Sequence, residues 1–207
     1  MKGFVRLLMI MLLLSIFAMC GVYAQQNTEQ DIKVIRDLYR QAQEFVKHDN
    51  IGDPTVEYHL SMSLQRLYPV GGPQTQNYDF YFDHTNNKDG NLIPRLKFIR
   101  MKSETGGLLN EEYLFNDKEE LIFYFSKFNF FVDLDNDEAE MRLYYKDGTL
   151  IRNLLKTTAH RTKKATDHTT IPDDYKPILE FVPKEAGRLK GMFKNAIEFS
   201  LWEMMVN

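Results

Sequence analysis

Between residues 55 and 155 the apolar side chains of this sequence recur at every second position, and on either side of that stretch they recur at helical spacing. A period that changes from near 3.6 to 2 and back restricts the chain to helices at its ends and strands between them. Val56, Tyr58, Leu60, Met62 and Leu64 alternate with Glu57, His59, Ser61, Ser63 and Gln65. Tyr78, Phe80 and Phe82 alternate in the same way with Asp79, Tyr81 and Asp83. Each is the pattern of a strand with one face in a core and one toward water. Aromatic residues make up 13% of the chain, chiefly Phe and Tyr, which suits flat rings packing across strands.

Punctuation between these runs is clear. Pro69-Val70-Gly71-Gly72-Pro73 reads as a turn, and His84 to Asn91 as a polar loop. Leu96 and Phe98 fall on one face and Ile99 and Met101 on the other, so a bulge is expected nearby. Glu112 to Phe115 and Glu120 to Phe125 flank Asn116-Asp117-Lys118-Glu119 as a hairpin. Met141 to Tyr145 and Thr149 to Leu155 flank Lys146-Asp147-Gly148, and Asp-Gly between apolar runs is a strong hairpin signal. The polar stretch Thr157 to Thr170 reads as a solvated loop.

Thr28 and Asp31 have capping-box spacing ahead of Ile32, Ile35, Leu38, Tyr39, Ala42, Phe45 and Val46, which predicts a helix over about 28–48. Leu189, Met192, Phe193, Ala196, Ile197 and Leu201 predict a second over about 184–204, with Gly187 and Gly191 weakening it. The fold expected is α+β: a curved antiparallel sheet of six or seven strands, built as a meander of hairpins and flanked by N- and C-terminal helices.

The first 24 residues stand apart. Lys2 and Arg6 precede an apolar run from Leu7 to Met19, and Val22-Tyr23-Ala24 offers small side chains where a signal peptidase cuts. This is the pattern of a secretory signal peptide over 1–24, followed by a single domain over 25–207. The protein is therefore expected to be exported, periplasmic or secreted. Cys20, the only cysteine, is the alternative processing point, as the lipid-bearing residue of a membrane-anchored lipoprotein. Cleavage after Ala24 leaves a cysteine-free chain, which excludes disulfides and thiol chemistry. It also leaves 24 basic against 29 acidic residues, a balance that argues against nucleic acid as partner.

The two hairpins resemble each other. Tyr113-Leu114-Phe115-Asn116-Asp117 with Leu121-Ile122 is matched by Leu143-Tyr144-Tyr145-Lys146-Asp147 with Leu150-Ile151. This is similar to the aromatic hairpins of MORN-like bacterial repeats, although two copies make no solenoid. Together with the leader and the segment Ile32-Lys33-Val34-Ile35-Arg36-Asp37-Leu38-Tyr39, the chain resembles a family of small exported proteins of uncharacterised function from Gram-negative gut-type bacteria. The resemblance implies a helix-plus-antiparallel-sheet domain and brings no catalytic residue with it.

Motifs that carry chemistry are few. Asp133, Asp135 and Asp137 alternate like the first ligands of a calcium loop, but Glu138 and Tyr144 stand where that loop needs Gly and Glu. A solvated acidic turn explains the run equally well, and no other cofactor is indicated. The histidines lack zinc-site spacing, and no nucleophile motif is present. By alternation, His59, Tyr81, Tyr124, Arg142, Tyr144 and Arg152 are expected on the sheet face opposite Tyr78-Phe80-Phe82, Leu121-Phe123-Phe125 and Met141-Leu143-Tyr145. Tyr and Arg are enriched where surfaces bind partners, so this face is the expected ligand-binding surface. The function expected is a non-enzymatic binding or interaction domain. Its partner would be a protein, a glycan, or a small apolar ligand held between sheet and helices, which requires an unfilled cavity. The alternative is a hydrolase of extracellular glycan or peptide, which requires a deep cleft with converging acids.

Overall fold

The computed structural model describes residues 27–46, 58–68, 72–86, 88–90, 92–104, 108–129, 136–159 and 161–206. The chain divides into two compact units, residues 1–40 and 41–207. A helix, α1, runs over 27–46. In the part that belongs to the first unit, Ile32 and Ile35 are buried, Val34 and Leu38 are exposed, and Arg40 pairs with Asp37 one turn earlier.

The second unit is α+β. Eight antiparallel strands form one curved, open sheet in which each strand pairs with its neighbours in sequence, β1 to β8 in order. They are β1 Tyr58–Tyr68, β2 Gly72–Asn86, β3 Leu92–Glu104, β4 Leu108–Phe115, β5 Leu121–Asn129, β6 Asn136–Lys146, β7 Thr149–Ala159 and β8 Ala165–His168. A turn of 3-10 helix, Asp173–Tyr175, leads into the helix α2, Lys176–Val206. One strand exceeds the expected number. β8 lies in the stretch read as a loop, where Thr157 pairs with Thr166 and its hydroxyl meets His168 Nε2 at 2.9 Å. Its residues carry no apolar alternation, so period alone missed it.

Turn chemistry behaves as expected at Asp147-Gly148. Both residues have positive φ, 49° and 74°, and Lys146 pairs with Thr149, the geometry of a two-residue type I′ hairpin. The bulge expected in β3 falls at Lys97, because Tyr81 pairs with Phe98 and Phe82 with Leu96. The extra residue separates Leu96 from Phe98, which were expected to share a face. Leu96 joins Ile99 and Met101 on one side, and Phe98 turns to the other.

On one face α2 lays Val182, Ala186, Leu189 and Phe193, spaced at four, three and four residues, onto Phe80, Phe82, Met141 and Leu143 and their neighbours. The ring of Phe193 lies 5.9 Å from that of Phe80 and 5.0 Å from that of Phe82. The helix begins at Lys176, ahead of the expected start near 184, and runs through Pro183. A proline inside a helix costs about 3 kcal/mol. Burial of Val182 and the packing of Ile178 and Leu179 against the core offset it.

The opposite face is apolar as well. Tyr81, Phe98, Leu114, Phe123 and Tyr144 are all buried there. Residues 41–46 reach it: Gln43 bridges Arg100 and Glu112, and Phe45 meets the Tyr81 ring edge-on at 6.1 Å. Burial on both faces explains why the central strands read as unbroken runs such as Tyr113-Leu114-Phe115 and Leu143-Tyr144-Tyr145.

Candidate functional site

Where the sheet and α2 part, a half-open cleft of about 390 Å³ remains. Ile93 and Pro94 of β3 form one wall, Phe193 and Ile197 of α2 the other, and Glu119, Lys194 and Glu198 stand around it. Phe193 and Ile197 face the sheet because they continue the helical stripe that buries Leu189.

Glu119 is fixed at this cleft by its turn. Asn116 shapes the turn, its side-chain oxygen accepting the backbone N–H groups of Lys118 and Glu120, each at 2.9 Å. Glu119 then adopts a left-handed φ of 57°, unusual for a residue with a long side chain. Three contacts hold it there. Its Oε1 accepts the Leu96 N–H at 3.0 Å, its Oε2 lies 3.4 Å from Lys194 Nζ, and its carbonyl accepts Lys190 Nζ at 2.9 Å. Lys163 and Asp147 adopt similar φ values in their own turns, so this conformation is turn geometry, and the three contacts fix where the Glu119 side chain stands.

A second polar cluster lies buried between sheet and helix. Glu111 accepts the hydroxyls of Tyr124 at 2.5 Å and Tyr113 at 3.1 Å. Burial pushes the Glu111 carboxyl above its ordinary value; the two tyrosine hydrogen bonds and Arg188 pull against it, and Glu185 adds to the rise. Both phenols are pushed well above their ordinary range by burial and by the adjoining carboxylate. Arg188 in turn is held by Glu185, and its guanidinium reaches the Tyr78 hydroxyl at 3.5 Å.

Five of the six expected binding residues do share a face: His59, Tyr81, Arg142, Tyr144 and Arg152. Tyr124 does not. It pairs with Tyr113 and Leu143 and faces α2, because the bulge at Leu114/Phe115 shifts the register of β5 and puts Phe123 and Phe125 on the opposite side. The shared face is packed more than presented. Tyr81 is stacked on His59, with ring centres 4.6 Å apart and planes within 4°, and Tyr144 lies 5.0 Å from Phe123. Arg142 pairs with Glu140 and sits over the Phe125 ring at 5.7 Å. Of the acidic run, Asp133 and Asp135 lie outside the described residues, and Asp137 is described only as a backbone position in β6. Among the described residues no cluster of three or more metal-ligating side chains occurs.

The chain matches no family model, no curated protein and no solved structure.

Geometry alone therefore has to say what these groups can do. Ser61, His59 and Asp79 meet on β1 and β2, with Ser61 Oγ 2.6 Å from Asp79 Oδ1 and 3.1 Å from His59 Nε2. They do not form a nucleophilic relay. The same His59 nitrogen faces both partners, and the serine proton is donated to the carboxylate. Glu119 is likewise engaged through both carboxylate oxygens, which leaves it suited to fixing the cleft. The sequence places Phe193 and Ile197 on the helical stripe and Glu119 in a turn, but marks none of the cleft residues as a site. The available signal was an apolar helical stripe continuing to Ile197, beyond the last buried residue of the sheet-facing core.

Proposed function

We propose that this protein is an exported binding domain that holds a small, largely apolar molecule in the cleft between β3 and α2. The single observation that carries this reading is the cleft itself. Its volume of about 390 Å³ falls in the range of roughly 300–1,000 Å³ typical of ligand sites. Its walls are Ile93, Pro94, Phe193 and Ile197, and Glu119, Lys194 and Glu198 stand around it. Four apolar side chains against three charged ones, with Lys194 already facing Glu119, favour a largely apolar ligand.

Binding is favoured over turnover because the Glu119 carboxylate is already tied to the Leu96 amide and to Lys194. The leader over residues 1–24 supports export, as does the resemblance to small exported proteins of Gram-negative bacteria. Among the described residues no helix is long and apolar enough to cross a membrane.

Intact mass of the protein recovered from its exporting cell, under native and then denaturing conditions, tests both parts. The expected result is a chain beginning at Gln25, with a small non-covalent adduct lost on denaturation. A lipid-bearing chain beginning at Cys20 would put the domain on a membrane surface, and a chain still beginning at Met1 would overturn export.

A further inference from the structure

The two edges of the sheet are built differently. β8 is four residues long and carries Thr166, Asp167 and His168. A short polar edge is how sheets avoid pairing with other chains. β1 is eleven residues long and pairs one-for-one with β2, from Tyr58 with Phe82 to Tyr68 with Gly72, without a bulge. Among the described residues nothing pairs with its other side. Between Tyr58 and Gln65 it contains no Pro, Gly, Lys, Asp or Glu, the residues that blunt an edge. Its outward backbone N–H and C=O groups form a template for another strand.

The side chains say which strand. Leu60, Met62 and Leu64 lie on the α2 side of the sheet and remain partly exposed, whereas Tyr78 and Phe80, which pair with Met62 and Leu60, are buried. We propose that β1 pairs antiparallel with β1 of a second copy of this chain about a two-fold axis through Met62, joining two sheets into one.

An axis normal to the sheet keeps each face on its own side, so at the centre of the ladder apolar meets apolar and polar meets polar. Met62 faces the partner's Met62, Leu60 faces the partner's Leu64, and Ser61 faces the partner's Ser63. Neighbouring registers fit less well. Centring on Ser63 sets the aliphatic Leu60 opposite the partner's Arg66, which the Met62 register places opposite Tyr58 instead, and centring on Ser61 shortens the ladder. The Met62 register continues the apolar face across the junction and pairs the outward backbone groups of the two strands.

The test uses the full chain with Cys20→Ser, so that the introduced thiol is the only one. Residues directly opposed in an antiparallel pair have Cα atoms about 4.5–5.5 Å apart, within the span of a disulfide. Met62→Cys is therefore expected to give a disulfide-linked dimer under mild oxidation, whereas Leu60→Cys and Leu64→Cys, each displaced from the axis, are not. Light scattering on the unsubstituted chain is expected to give twice the chain mass. Ser61→Lys with Ser63→Lys, which sets like charges opposite each other, is expected to give a folded monomer by circular dichroism. A monomeric unsubstituted chain would overturn the proposal, as would a dimer in which Leu60→Cys cross-links as readily as Met62→Cys.

Discussion

Glu111 couples the stability of this fold to pH through a single carboxyl. It is 6% exposed and, among the described residues, has the Tyr113 and Tyr124 hydroxyls as its direct partners, with Glu185 and Arg188 of α2 beyond them. Burial raises its pKa in the folded state, so the native protein holds this proton more tightly than the unfolded chain does. The resulting stabilisation is full below the ordinary value of 4.5 and is lost as pH rises through the raised folded value. Glu111→Gln keeps the shape without the charge, retaining one acceptor oxygen and presenting an NH2 donor to the second tyrosine hydroxyl, which turns to accept it. The variant is expected to melt above the unsubstituted protein near neutral pH, with the gap closing as pH falls below 4.5, in thermal unfolding measured across that range. An unchanged gap at all pH values would contradict the assignment. Asp83 and Asp117 act in the opposite sense. Burial alone would raise Asp83, but Arg95 and Lys97 hold it below its ordinary range, and the Lys97 hydrogen bond does the same for Asp117. Their contribution is present above the ordinary carboxylate range and lost as pH falls through the lowered folded values. None of this was legible in the sequence. Glu111 and Glu112 are adjacent acids, and only the register of β4 sends one toward α2 and the other toward Arg100 and Gln43.

At the scale of elements, local signals that depend on one turn or one period were readable, and those that depend on pairing were not. Asp147-Gly148 announced its hairpin because only a residue pair that accepts positive φ at both positions closes a two-residue turn. Gly148→Ala forces a side chain into φ +74° and is expected to cost about 1 kcal/mol or more. Gly187 and Gly191 are the reverse case. Both are exposed positions within α2, with nothing within 4 Å of where a Cβ would stand. Alanine at each is expected to add about 0.5–1 kcal/mol by removing backbone freedom from the unfolded chain. Chemical denaturation of the three variants checks both signs. The side of Tyr124 was misjudged because alternation carries no memory of a bulge. One inserted residue at the β4–β5 junction exchanges the faces of the residues that follow it in β5. β8 is held by pairing with β7 and one side-chain contact, neither of which leaves a periodic trace.

For the molecule as a whole, the order of helix, antiparallel meander and helix followed directly from the change of hydrophobic period. What period could not give was that the sheet is apolar on both faces, since Phe-Tyr runs are compatible with one-sided and two-sided burial alike. That distinction moved the candidate site. The face bearing Tyr81 and Tyr144 is packed, and the open apolar space lies where Phe193 and Ile197 leave the sheet beside Ile93 and Pro94. Titration with the uncharged fluorophore N-phenylnaphthylamine, on the unsubstituted chain and on Ile197→Trp, tests the cleft most directly. Saturable binding at one site per chain, lost in a variant that still unfolds cooperatively near the original temperature, is the result expected. Binding unchanged by Ile197→Trp, or no binding to the unsubstituted chain, would contradict the cleft as the site of function.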